Sequence, residues 1–265
     1  VSDATHLRGP AGVLAVILLE IALGSMAVLL VAPVWGVVKR GYFRLVCATV
    51  AACGLLAWLS ALGPLRDVRH DPWQTGQMLL GVFVWSVLTM VALQAGRDGV
   101  ARVLAAVTVL LGVVASIGLA RLRGGGATTY GGLAAILTGA VFVGATWDGM
   151  LLGHWYLVDR KLKVDPMRWH AWAYTTGTAL AVVSAALAKG GKPTGSEANL
   201  NPLLLVSDLT LYLAFGLVAV CGLLAFFVHK LVIEGSIRAA TGMLYLAVIM
   251  AFSAEFAAKA RFFTV

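Results

Sequence analysis

Residues 144–161 place an acid, Asp148, a histidine, His154, and three large rings, Trp147, Trp155 and Tyr156, within about two and a half helical turns. The surrounding sequence reads as lipid-soluble helix. Ionisable groups are costly in hydrocarbon, so a cluster of them inside a span marks a functional site by default. At 100° per residue, Asp148, Trp155 and Asp159 share one stripe of the helix, and Trp147, Met150 and His154 share another. Asp148 and His154 are therefore not a dyad on one face. A short buried carboxyl such as Asp148 is stable when protonated, when paired to a buried cation, or when hydrogen-bonded to a neighbouring helix.

Two further histidines fall at the same level as His154. His170 opens the next apolar run and His229 closes the one after it. Three imidazoles from consecutive helix ends are chemically suited to haem b iron, another metal, or a quinone head group. The rings of Trp155, Tyr156, Trp169, Trp172 and Tyr174 would line a flat-ring site, and they equally form an interfacial aromatic belt. A second set lies toward the other face: Glu20, Asp208, Glu255 and Lys259. Glu255 and Lys259 have the i,i+4 order that favours an intrahelical salt bridge, and Lys259 is expected to snorkel to the interface. This set reads either as a structural ion pair at the rim, or as a proton or ion path from Glu20 and Asp208 inward to Asp148 and His154.

The elements that must position these groups are transmembrane helices. The chain of 265 residues is 60% hydrophobic and 12% charged, against roughly 25% charged in soluble domains. A span needs about 20 apolar residues. Eight runs qualify: 13–38, 42–62, 77–95, 100–120, 131–158, 169–188, 203–229 and 237–262, with Gly- and Pro-rich breakers between them. The expected fold class is an all-α integral membrane protein, an eight-transmembrane-helix bundle. The first run is too long for a signal-peptide core and ends in Lys39-Arg40, so it reads as a span.

The net charge of +8 sits in short loops, where it orients helices, so no nucleic-acid partner is expected. Eleven of the 20 Lys and Arg follow odd-numbered spans. This small bias places both termini outside a bacterial cytoplasmic membrane, and the longest loops, 63–76, 121–130 and 189–202, on the outer face. Those loops are the expected docking sites for other membrane or periplasmic subunits. Cys47, Cys53 and Cys221 lie in apolar runs without CxxC spacing and read as small buried hydrophobes. Phosphate-loop, metalloprotease and serine-hydrolase motifs do not occur, and the single late lysine lacks the partners of a retinal protein.

An internal repeat is also visible. It aligns Gly24 with Gly144, Trp35 with Trp155 and Arg40 with Arg160 in the first half of each unit, and Gly99 with Gly235 and Arg102 with Arg238 in the second. This implies a parallel 4+4 duplication with a site between the halves. In architecture alone, with no matched motif, that plan resembles the quinol-interacting membrane anchors of polysulfide-reductase type. The resemblance implies a membrane subunit of a redox complex that meets quinone, and possibly haem, near His154. A small proton-coupled transporter or channel and a structural scaffold subunit are the alternatives.

Overall fold

Pro33 decides where the first helix ends. Its ring blocks further helix and biases the preceding residue toward extended backbone, so α1 runs Pro10–Val31 and the apolar residues that follow form turns. The span expected to reach residue 38 is shorter for that reason. In the computed structural model, which describes residues 10–66, 68, 74–123, 129–159, 161–188, 209–260 and 262–263, seven further helices follow. These are α2 (Arg40–Arg66), α3 (Thr75–Gln94), α4 (Asp98–Arg121), α5 (Thr129–Val158), α6 (Asp165–Leu187), α7 (Leu209–Ile233) and α8 (Ile237–Lys259).

Seven of the eight helices are long and apolar enough to cross a membrane, which makes this an integral multi-pass membrane protein. The helix that falls short is α6. It is 23 residues long, but its first fourteen residues carry Arg168, His170, Tyr174 and three threonines. It packs against α5, α7 and α8, and of these groups His170, Tyr174 and Thr178 are buried while Arg168 and Thr176 stay exposed.

Helices α1 to α4 pack in sequence, and α4 returns to α1. Helices α5 to α8 do the same, with α8 returning to α5. The two groups join mainly through α1 against α5, and these two are the most enclosed helices. Small residues set how closely α1 and α5 approach. A Cβ on Gly24 would lie 1.8 Å from the Ala140 carbonyl oxygen, and one on Gly144 would lie 2.2 Å from the Gly24 carbonyl carbon. Without a hydrophobic drive between helices in lipid, such backbone contact is the main source of association.

Two of the tight connections are built alike. Gly96 and Gly235 both take φ of 75°. In each turn the glycine N–H reaches back three residues and the next N–H reaches back five, to Ala92 and to Leu231. This is the Schellman ending, in which a left-handed glycine satisfies the last helix carbonyls.

Arg123 ties the opposite end together. Its guanidinium donates to the Leu187 carbonyl at 3.0 Å and the Phe262 carbonyl at 3.2 Å, and it lies 4.5 Å from the Phe262 ring centroid. It thereby links the ends of α4, α6 and α8. Charged hydrogen bonds of this kind contribute about 1.5–3 kcal/mol each. Arg123→Leu is therefore expected to destabilise the bundle by about 2–4 kcal/mol, read as a lower melting temperature in detergent. An unchanged melt would show that these carbonyls are satisfied without it.

Candidate functional site

Glu20 lies halfway along α1 with its side chain fully enclosed. A carboxylate at that depth needs a cation, and α8 supplies one. Lys259 does not snorkel. It is 0% exposed and turns inward, its Nζ 2.8 Å from Glu20 Oε1. The second carboxylate oxygen, Glu20 Oε2, has no hydrogen-bond partner. One turn earlier on the same helix, Glu255 accepts a hydrogen bond from the same ammonium. Ser184 of α6 completes the group. Its Oγ accepts from Lys259 Nζ at 3.0 Å and lies 3.1 Å from Glu255 Oε2 and 3.0 Å from the Ala135 carbonyl, one of which takes its proton.

The floor of this cluster is a glycine. A Cβ on Gly139 would stand 2.7 Å from Glu20 Oε1, 2.8 Å from Lys259 Nζ and 2.9 Å from Glu255 Oε2. The three charges converge on one point because α5 has no side chain there. Two carboxylates and one ammonium sum to one excess negative charge when all are ionised. Burial makes that excess expensive, and a single added proton removes it.

Asp148 occupies a separate layer. Glu20 is level with Gly139, and Asp148 lies nine residues further along α5, about 13 Å away at 1.5 Å per residue. The Gly24–Gly144 contact stands between the two layers. Asp148 is 0% exposed, and neither of its oxygens has a hydrogen-bond partner. The Ser25 side chain of α1 is the polar group that acts on its carboxyl. Tyr42 and Cys47 of α2 lie within its electrostatic reach.

The three histidines do not share one centre. His154 is exposed, with Nδ1 2.8 Å from the Tyr245 hydroxyl. His170 is buried, and its Nδ1 bonds the Pro166 carbonyl at 2.8 Å. Since a carbonyl only accepts, Nδ1 carries the proton there. Nε2 is left with its lone pair and no hydrogen-bond partner. The His229 ring meets the Trp172 ring edge to face at 4.5 Å. Among the described residues, no group of three or more His, Cys, Asp or Glu is placed to hold a metal.

The aromatic residues divide similarly. The Trp155 ring lies over Gly41, and the ring nitrogens of Trp147 and Trp155 are buried without hydrogen-bond partners. Tyr156 donates to the Lys163 carbonyl and borders a cavity of about 580 Å³ between the end of α5 and the start of α8. Beside it, Lys39 pairs with Asp159 at 2.9 Å and holds that carboxyl below the usual carboxylate range. Asp208 lies outside the described residues, as do residues 67 and 69–73 of the loop 63–76, residues 124–128 of the loop 121–130, and all of 189–202.

Comparison with protein-family models, curated proteins and solved structures finds no match for this chain. The chemistry of the bundle therefore rests on its own geometry. Sequence reasoning passed over Gly139, Ser184, Ser25 and Tyr42 as site residues. The glycine carries a signal in its spacing from Gly132, Gly144 and Gly149 on one helix. The others carry none.

Proposed function

We propose that this chain is a small proton-coupled transporter or channel, with Glu20, Glu255, Lys259 and Ser184 as its proton-carrying element. One observation carries the reading. Two carboxylates share one ammonium in a fully enclosed site joining α1, α6 and α8. Such a site holds one proton more in its neutral state than in its charged state, and moving that proton is the work it is suited to. A purely structural pair would need one acid. In this reading the close Gly24–Gly144 contact serves as the gate between the Glu20 layer and the Asp148 layer.

Two four-helix halves fit this proposal. Each closes on itself, the join falls at Gly24 and Gly144, which the repeat aligns, and both halves carry the same glycine turn. The turns pair Gly96 with Gly235, so the register between α4 and α8 differs from the one that matched Gly99 to Gly235. The basic loops favour both termini outside.

The test is proton flux in liposomes under an imposed membrane potential, read with an enclosed pH dye. The wild-type chain is expected to pass protons, and Glu20→Gln to fall to the level of empty liposomes while keeping its melting temperature. Wild-type flux no higher than that of empty liposomes overturns the proposal.

The redox-subunit reading has one observation in its favour. His170 is fixed by Pro166 in the tautomer that points a free lone pair inward, as metal-ligating histidines are held. A haem absorption band in the purified chain, lost in His170→Ala, would replace proton coupling with redox chemistry as the leading reading.

A further inference from the structure

An ammonium has three N–H donors, and three oxygens surround that of Lys259: Glu20 Oε1 at 2.8 Å, Ser184 Oγ at 3.0 Å, and Glu255 Oε2. The two carboxylates that share it are not held alike. Glu255 Oε2 has a second neighbour, the Ser184 hydroxyl, at 3.1 Å. Glu20 Oε2 is buried without a hydrogen-bond partner.

Ser184 has one proton and two places to put it. Glu255 Oε2 is 3.1 Å away and the Ala135 carbonyl 3.0 Å away. Distance does not choose between them, but chemistry does. Ala135 lies inside α5, where its carbonyl already accepts from the N–H four residues on. A hydrogen bond to an ionised carboxylate is roughly twice as strong as one between neutral groups. The Ser184 proton therefore goes to Glu255 whenever Glu255 is ionised. On the other side of the ammonium, an unpartnered oxygen costs far less in a neutral acid than in a buried anion. Both asymmetries act in one direction.

We infer that the proton shared by this cluster rests on Glu20, and that the Ser184 hydroxyl puts it there by holding Glu255 as the ionised partner of Lys259. Ser184 is a positioning residue, since it changes neither the charge nor the proton count of the site. When Glu255 is neutral, the same hydroxyl turns to Ala135, so one rotor serves both states. This deepens the proton-carrying reading above and rests on it for the presence of one proton in the cluster. Its test reads where that proton is and requires no flux.

The measurement is the infrared spectrum of the purified chain in detergent at about pH 8, where exposed carboxyls are ionised. Only an acid that is still protonated shows the carboxylic C=O stretch. Subtracting the Glu20→Gln spectrum cancels the other acids of the chain and is expected to leave one such band. Ser184→Ala removes a hydrogen bond to the Glu255 carboxylate. It is expected to shift the ratio of the Glu20-protonated to the Glu255-protonated form by at least about tenfold toward Glu255. The original band is then expected to keep its position and lose intensity to a second one. Ser184→Cys, a weaker donor of similar size, is expected to fall between wild type and Ser184→Ala, and it carries the test if Ser184→Ala does not fold. Three results overturn the inference. The first is a wild-type chain with no acid band that Glu20→Gln removes. The second is a band that moves as a whole in Ser184→Ala, which places the proton on Glu255. The third is a spectrum that neither serine variant alters. The expected spectra without proton flux would leave the placing of the proton standing and remove proton coupling, and flux without the acid band would do the reverse.

Discussion

Lys259→Met is expected to destabilise the bundle by about 3–5 kcal/mol, the cost of leaving a buried charge without its partner. The lysine is enclosed, and both Glu20 and Glu255 depend on its ammonium. The effect is not a packing effect, because methionine keeps most of the stem. Charge counting then orders the other variants. Glu20→Gln leaves a neutral Glu255–Lys259 pair and is expected to change stability by less than about 1 kcal/mol. Glu255→Gln leaves Glu20–Lys259 but weakens the contact to Ser184, and falls between the two. The triple change Glu20→Gln, Glu255→Gln, Lys259→Met is expected to recover most of the loss, because replacing a whole buried ion set is often neutral. The measurement is reversible unfolding in mixed micelles. If Glu20→Gln proves clearly more stable than the wild type, both carboxylates are ionised and no proton is held between them. If the triple variant is no better than Lys259→Met, the lysine acts through its shape and not its charge.

The helices were legible because hydrocarbon leaves so little choice. Runs of apolar residues about 20 long announce themselves, and their ends are marked by Pro33, Gly96 and Gly235. The exceptions have local causes. Helix α2 continues through Pro64 to Arg66, past the Gly63-Pro64 breaker, so the proline falls in its last turn. Helix α6 forms despite the polar groups in its first fourteen residues, with three neighbours packed on it and His170, Tyr174 and Thr178 buried. The site was half legible. An acid or lysine in a span is rare enough to be noticed, so Glu20, Asp148, Glu255 and Lys259 stand out in the sequence. Their grouping does not. The i,i+4 spacing shows Glu255 beside Lys259, but only the packing of α1 against α5 and α8 brings Glu20 to the same ammonium. Nothing in the sequence says that Lys259 turns inward instead of snorkelling. That choice is set by Gly139, whose missing side chain leaves room for the charged tips.

Gly144→Ala is expected to be as damaging as the loss of the lysine, though it touches no charge. In an isolated helix the change would stabilise by about 1 kcal/mol, since alanine is the better helix former. Here the new methyl would meet Gly24 carbonyl carbon at 2.2 Å, Gly24 Cα at 2.5 Å and Ser25 N at 2.6 Å. These are backbone atoms and cannot swing aside, so α1 and α5 must separate along the join between the two helix groups. Over-packing costs about 1–3 kcal/mol where side chains yield, and more where they cannot. The expected net loss is therefore about 3 kcal/mol or more. Gly242→Ala on α8 is the control. Nothing lies within 4 Å of its added Cβ, so it is expected to hold or raise stability. Gly139→Ala separates packing from function. The three atoms nearest its methyl would be the tips of Glu20, Glu255 and Lys259, which are side-chain ends able to move. It is expected to cost less stability than Gly144→Ala yet to scatter the three charges, so proton flux should fall further than the melting temperature. A Gly139→Ala chain that conducts like the wild type would mean that the convergence of the three charges on that glycine is not what moves the proton.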